Sequence, residues 1–76
     1  MDQKLIEIAA GVMKVTAEEA EQHCKKIPEI EGAYYFWNPA RGGIAVIVAA
    51  NGEKLGATSS VSYQRHVEAF LGGKRN

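Results

Sequence analysis

Hydrophobic positions are densest in the middle of the chain, over residues 33–57. Ala33 is followed there by four consecutive aromatic residues, and a seven-residue apolar run occupies positions 44–50. Successive side chains of a strand point to opposite faces of its sheet, so strands over 33–37 and 44–49 would be apolar on both faces. A run of this kind is typical of a strand covered on both sides. The pattern therefore predicts a small sheet with residues 44–49 at its centre.

The dipeptide Asn51-Gly52 follows this central strand and is a strong hairpin signal. It favours a type I′ turn, which needs two residues with positive φ. The segment after it, 53–57, is polar at its start, as an edge strand should be. A third strand is therefore predicted at the edge of the sheet.

Two helices are predicted before the sheet. The first covers residues 2–13, because apolar residues recur there at helical spacing. The second covers 17–26: Thr16 and Glu19 have the spacing of a capping box, and Pro28 ends the helix.

A third helix is predicted over residues 62–71, where apolar side chains again recur at helical spacing and Gly72 follows. The whole chain, residues 1–76, then reads as one α+β domain with the order α-α-β-β-β-α. Its sheet would be a three-stranded antiparallel meander packed with helices.

How the helices cover the sheet decides what the sequence implies about binding. In one arrangement the N-terminal helices cover one face and the last helix covers the other. In the alternative, one aromatic face stays open and binds a second copy of the chain or another protein. Tyr, Trp and Arg are the usual anchors of protein interfaces. The predicted partner-binding residues are Tyr35, Trp37, Arg41 and Ile47.

Composition favours the second arrangement. A 76-residue domain often needs a disulfide, a metal or a partner to supplement its core. Cys24 is the only cysteine, so an internal disulfide is excluded. One cysteine and the two histidines of the chain are too few for a structural zinc site, which usually has four such ligands. Oligomerisation or partner binding is therefore expected, without a metal or cofactor.

Charge and hydropathy exclude other classes of partner. Residues 1–31 carry seven acids and four bases, net −3, whereas residues 32–76 carry two acids and five bases, net +3. The bases of the second half are scattered rather than forming a stripe, so nucleic-acid binding is not expected. Charges at Asp2, Lys4 and Glu7 interrupt the N-terminal segment, so a signal peptide is not expected, and no apolar run reaches the 18 or so residues of a membrane span. We expect a cytoplasmic protein without membrane association.

Candidate chemistry is sparse. Cys24 next to His23 is better explained as a buried structural cysteine than as a nucleophile, because adjacent helical residues point in different directions. No paired carboxylates occur near the sheet, so an enzyme is not predicted. The alternative is a binding protein for an anionic metabolite, or a minor enzyme, with its site around the loop 39–43. Arg41 and His66 would bind the ligand there, together with Tyr35.

Residues 33–71 resemble small bacterial immunity proteins of polymorphic-toxin systems. The similar segments are the aromatic strand 34–38, the hairpin made by 44–48 with Asn51-Gly52, and the closing helix at 67–71. The loop between the first two strands is shorter than in those families, and no acid precedes Asn51. The resemblance implies a non-enzymatic cytoplasmic protein that binds and blocks one toxin.

Overall fold

A computed structural model describes residues 3–38, 43–58 and 60–75 as three helices and one four-stranded antiparallel sheet. The elements are α1 (Gln3–Met13), α2 (Ala17–Gln22), β1 (Cys24–Lys26), β2 (Tyr34–Trp37), β3 (Ile44–Val48), β4 (Lys54–Thr58) and α3 (Tyr63–Leu71). The strands lie side by side in chain order. The predicted α+β class with an antiparallel meander is confirmed, and the predicted number of three strands is wrong.

The additional strand, β1, lies where the second helix was predicted to continue. The capping box at Thr16 is present, so α2 begins where expected, but it ends at Gln22. His23 follows with φ −123° and ψ 63°, which is outside the helical region. Cys24 then pairs with Phe36 and starts a strand along the free edge of β2. Backbone pairing with β2 outweighs the helix propensity of the two lysines in this segment.

The hairpin between β3 and β4 forms, but its turn differs from the predicted type I′. The Gly52 N–H donates to the Ala49 carbonyl at 2.9 Å, and the Ala49 N–H donates to the Glu53 carbonyl at 2.8 Å. Gly52 has a φ of +91°, whereas Asn51 has no positive φ. The connection is therefore a three-residue loop whose glycine takes the left-handed position of a bulge. Asn51 instead accepts a hydrogen bond from the Glu53 N–H through its side chain, at 3.0 Å.

Side chains on the two faces of the sheet form two separate cores. Helices α1 and α2 form a helical hairpin, and we call the sheet face beneath it the hairpin face. We call the opposite face the α3 face. On the hairpin face Phe36, Val46 and Val48 pack against buried residues of α1 and α2. On the α3 face Ile47 packs with Phe70 of α3 and with several smaller apolar residues. Both faces therefore carry helices, as in the first of the two arrangements that the sequence left open.

The end of α3 is fastened to the β3–β4 hairpin by Arg75. Its guanidinium lies 3.6 Å from the centre of the Phe70 ring and donates to the Phe70 carbonyl at 2.7 Å. It also forms an ion pair with Glu53 at 3.3 Å. Hydrogen bonds from Asn51 and Arg75 hold the pKa of Glu53 below its usual range. The C-terminal residues thus help to keep α3 on the sheet.

Two glycine-to-alanine substitutions should shift stability in opposite directions. Gly32 has a φ of +77°, and an added Cβ would lie 2.9 Å from the Ala50 Cβ. Gly32→Ala should therefore lower the free energy of unfolding by about 1–3 kcal/mol. Gly11 lies on the exposed side of α1 with no neighbouring atom within 4 Å of the added Cβ. Gly11→Ala should raise it by about 0.5–1 kcal/mol. Denaturant unfolding measures both changes, and effects of the same sign would contradict the described backbone.

Candidate interaction surface

Aromatic side chains form a continuous row on the α3 face. The row consists of His23, which precedes β1, Tyr35 and Trp37 on β2, and Tyr63 on α3; we call these four residues the aromatic row. The Trp37 N–H donates to the His23 carbonyl at 3.0 Å, so these residues lie side by side. Odd-numbered residues of paired strands share one face, which brings the first three side chains together. All four are half-buried.

Ring contacts join these side chains to one another. Tyr35 stacks on Trp37 with ring centres 6.0 Å apart and an interplanar angle of 27°. Tyr63 meets Tyr35 edge-on at 4.8 Å, and His23 meets Trp37 edge-on at 5.9 Å. Offset-stacked and edge-to-face contacts are the favourable geometries for aromatic pairs. The row is therefore ordered before anything binds to it.

Lys25 adds a cation to this surface. Its Nζ lies 4.0 Å from the centre of the Tyr63 ring and 5.9 Å from that of Tyr35, within the range of a cation–π interaction. Lys25 is exposed and forms no ion pair within the described part of the chain. Burial raises the pKa of Tyr35, and the nearby Tyr63 adds a smaller contribution. Burial also raises the pKa of Tyr63, with a smaller contribution from the charge of Glu29. Both phenols therefore stay neutral at physiological pH.

A concavity of about 210 Å³ opens beside Tyr35 and Trp37, the two central members of the aromatic row. Its lining includes Tyr35, Trp37, Asn38 and Ala45. Ala45 pairs with Trp37 across the strands and is only 5% exposed. Neither Ala45 nor Trp37 belongs to the apolar cluster under α3, whose half-buried border includes Tyr35, Leu55 and Tyr63. The part of the α3 face around Trp37 is thus left beside the helix, with a small residue next to it.

The structure separates the residues that the sequence grouped as a binding site. Tyr35 and Trp37 lie together in the aromatic row. Ile47 is 0% exposed in the core beneath α3, so its side chain offers no surface to a partner. Arg41 lies outside the described residues. Lys25 was missed because the pattern assigned it to the second helix, and no signal in the sequence marks it as part of a strand.

His66, predicted to bind a ligand, lies in a contact between α3 and β4. It is 1% exposed, and its Nε2 lies 2.6 Å from the Leu55 carbonyl oxygen. Because a carbonyl only accepts, Nε2 carries the proton, and Nδ1 of the neutral ring is the unprotonated nitrogen. Nδ1 is buried without a hydrogen-bond partner among the described residues. Burial lowers the pKa of His66, and the bond to Leu55 opposes this in part.

Cys24 has the environment of an unreactive thiol. It is half-buried, and its Sγ donates to the Glu21 carbonyl at 3.3 Å. Burial raises the pKa of the thiol, and the charge of Glu21 raises it further, so the thiolate is disfavoured. The described residues contain no group of three or more side chains that could hold a metal ion. None of their helices has the length and apolar character needed to cross a bilayer.

Comparison with known proteins gives no match. A scan against protein-family models, a search of curated proteins and a search of solved structures each found no significant similarity to this chain.

Stability should fall when His66 takes up a proton. Its folded-state pKa lies below the ordinary value of 6.5, so the unfolded chain binds the proton first as the pH falls. The free energy of unfolding should therefore decrease below pH 6.5, before carboxylates with an ordinary pKa near 4.5 begin to titrate. Urea unfolding at a series of pH values between about 7.5 and about 5 measures this decrease.

Two variants separate His66 from the other histidine. His66→Gln can still donate to the Leu55 carbonyl but does not titrate, so the decrease should be much smaller. His23→Gln leaves His66 in place and should retain the decrease. An equal pH dependence in His66→Gln and in the unaltered protein would show that His66 is not its source.

Proposed function

We propose that this chain is a small non-enzymatic protein-interaction domain that binds a protein surface through its aromatic row. The observation that carries the proposal is the stacked pair of Tyr35 and Trp37. This pair stays half-exposed beside a concavity, although helices pack on both faces of the sheet. The partner is either a second copy of the chain or a different protein.

The physical argument is one of preorganisation. A partner gains most from a few large side chains that are held rigid before binding, because little conformational entropy is then lost. Tyr and Trp are enriched among the residues that dominate binding energy at interfaces. Trp37 is held by Tyr35 on one side and by His23 on the other. The concavity next to Trp37 leaves room for a side chain of the partner.

A toxin-neutralising role, which the resemblance to immunity proteins implies, is a narrower form of the same proposal. A toxin gene adjacent to the gene for this chain would support that form.

The concavity beside Trp37 favours a second candidate function, the binding of an anionic metabolite. It opens next to Asn38 and Gly43, which flank in sequence the segment that contains Arg41. A bound ligand would raise the melting temperature, because it stabilises only the folded state. No shift across a broad panel of anionic metabolites, for the unaltered protein and for Arg41→Ala, would remove this candidate.

Replacing Trp37 should disrupt self-association if the partner is a second copy. Removal of an interface anchor costs about 2 kcal/mol or more, so Trp37→Ala should raise the dimer dissociation constant about thirtyfold or more. Sedimentation across a range of concentrations measures this constant. Leu71→Ala is the matched control, since Leu71 is a large hydrophobic residue, 59% exposed, at the end of α3.

The fluorescence of Trp37, the only tryptophan, tests the surface whatever the partner is. Acrylamide should quench it in the isolated chain, because the indole is half-exposed. A protein that stays monomeric at every concentration and emits like a fully buried, unquenched indole would argue against a binding role for the aromatic row.

A further inference from the structure

Strand β1 leaves backbone hydrogen-bonding groups at one edge of the sheet. The His23 carbonyl accepts from the Trp37 N–H, and the Ile27 N–H donates to the Ala33 carbonyl. Residues of an antiparallel strand alternate between facing the neighbouring strand and facing away from it. The N–H and C=O groups of Cys24 and Lys26 therefore point outward, and no hydrogen bond joins them to another residue in the described part of the chain.

The two lysines of β1 place one positive charge on each face at this edge. Lys25 lies on the α3 face against Tyr63, and Lys26 lies on the hairpin face. Both are exposed and lack an ion pair within the described ranges. Two acids lie near enough to act on neighbouring groups, Glu21 on Cys24 and Glu29 on Tyr63. An added strand with acidic side chains on both faces would meet a complementary charge on each.

These lysines also decide against a second copy as the occupant. If β1 paired with β1 of another copy around a two-fold axis, Lys25 or Lys26 would lie opposite or diagonal to its own equivalent. Like charges directly opposite each other in a sheet are destabilising. Short edge strands with lysines are a common protection against such pairing. The lysines therefore disfavour pairing of β1 with β1 of a second copy and favour an acidic strand from a different protein.

The aromatic row compensates for the shortness of β1. Three residues can form only a few backbone bonds, so the edge alone would bind weakly. A strand added about 4.8 Å beyond β1 would lie next to His23 and Lys25 on the α3 face. Large side chains on that strand would then reach the rings of Trp37 and Tyr35. Backbone pairing would fix the orientation of the partner, and aromatic contacts would supply most of the affinity.

We propose that β1 binds an extended acidic segment of a partner protein as a fifth strand of the sheet. The outward groups of Cys24 and Lys26 pair with the backbone of that segment. Its acidic side chains meet Lys25 and Lys26 on opposite faces, and its apolar side chains pack on the aromatic row. This inference rests on the proposed interaction function and specifies the chemistry of the partner.

Amide hydrogen exchange of the full chain tests the edge directly. The probes are two short capped peptides, one repeating Glu-Glu-Val-Val and one repeating Lys-Lys-Val-Val, because paired residues place both side-chain types on each face of a strand. The glutamate peptide should slow exchange of the Cys24 and Lys26 amides and shift their NMR signals, and added salt should weaken this effect. The lysine peptide should leave both amides unchanged.

Lys26→Pro tests backbone pairing with little change to the fold. The Lys26 N–H faces away from β2, so proline at this edge position leaves the pairing between β1 and β2 intact. Lys26→Ala removes the same charge but keeps the N–H. Relative to it, Lys26→Pro loses one hydrogen bond to the peptide, worth about 1–1.5 kcal/mol, so its affinity for the glutamate peptide should be about five- to tenfold lower or more. Circular dichroism and thermal unfolding check that the variant folds.

Charge reversal provides a second variant that does not depend on tolerance of proline. The double change Lys25→Glu with Lys26→Glu should abolish binding of the glutamate peptide and create binding of the lysine peptide. Lys14→Glu is the matched control, because this exposed lysine lies in the turn between α1 and α2. It should bind the glutamate peptide like the unaltered chain.

Each contrary outcome overturns a stated part of the proposal. Unchanged Cys24 and Lys26 amides with millimolar glutamate peptide would remove the edge as a binding site. Equal protection by the lysine peptide would remove the acidic partner. Protection without peptide, growing with protein concentration, would show that a second copy occupies the edge. If Trp37→Ala disrupts association while β1 amides never change, the interaction function stands and the edge proposal fails.

Discussion

The fold depends on a central strand that is apolar on both faces. Ala45, Val46, Ile47 and Val48 are all buried, which requires a layer of side chains above and below β3. Full burial of each of the three larger side chains contributes about 1.5–3 kcal/mol, a large share of the stability of so small a domain. The two helices before the sheet supply one layer, and α3 supplies the other. Burial of β3 therefore depends on helices packed on both sides of the sheet.

The two layers are unequal, and the proposed binding surface follows from that inequality. α3 has nine residues and is about 14 Å long, so it covers only part of its face. The bond between His66 and the Leu55 carbonyl holds it over β4, and Arg75 holds its far end near Glu53. Trp37 is left beside the helix.

Strong local patterns made most of the fold predictable from the sequence. The apolar stripes of α1 and α3 recur at helical spacing, and the short continuous apolar run of β3 is typical of a strand covered on both faces. Strand β1 was not predictable, because Cys24, Lys25 and Lys26 show no alternation and become a strand only through pairing with β2. Tyr35 and Trp37 were selected by residue type and lie together in the aromatic row, whereas the burial of His66 depends on how α3 is placed on the sheet.

The order of the strands has a consequence for how the chain folds. Each strand pairs with the next one along the chain, so the sheet can grow by successive hairpins with short loop closures. The exception is α1, which packs on β3 across all of α2, β1 and β2. This contact has the largest sequence separation among the main packing interactions, and its closure should dominate the folding barrier. Substitutions in α1 that weaken this packing are then expected to slow folding, whereas those at the end of α3 are expected mainly to speed unfolding.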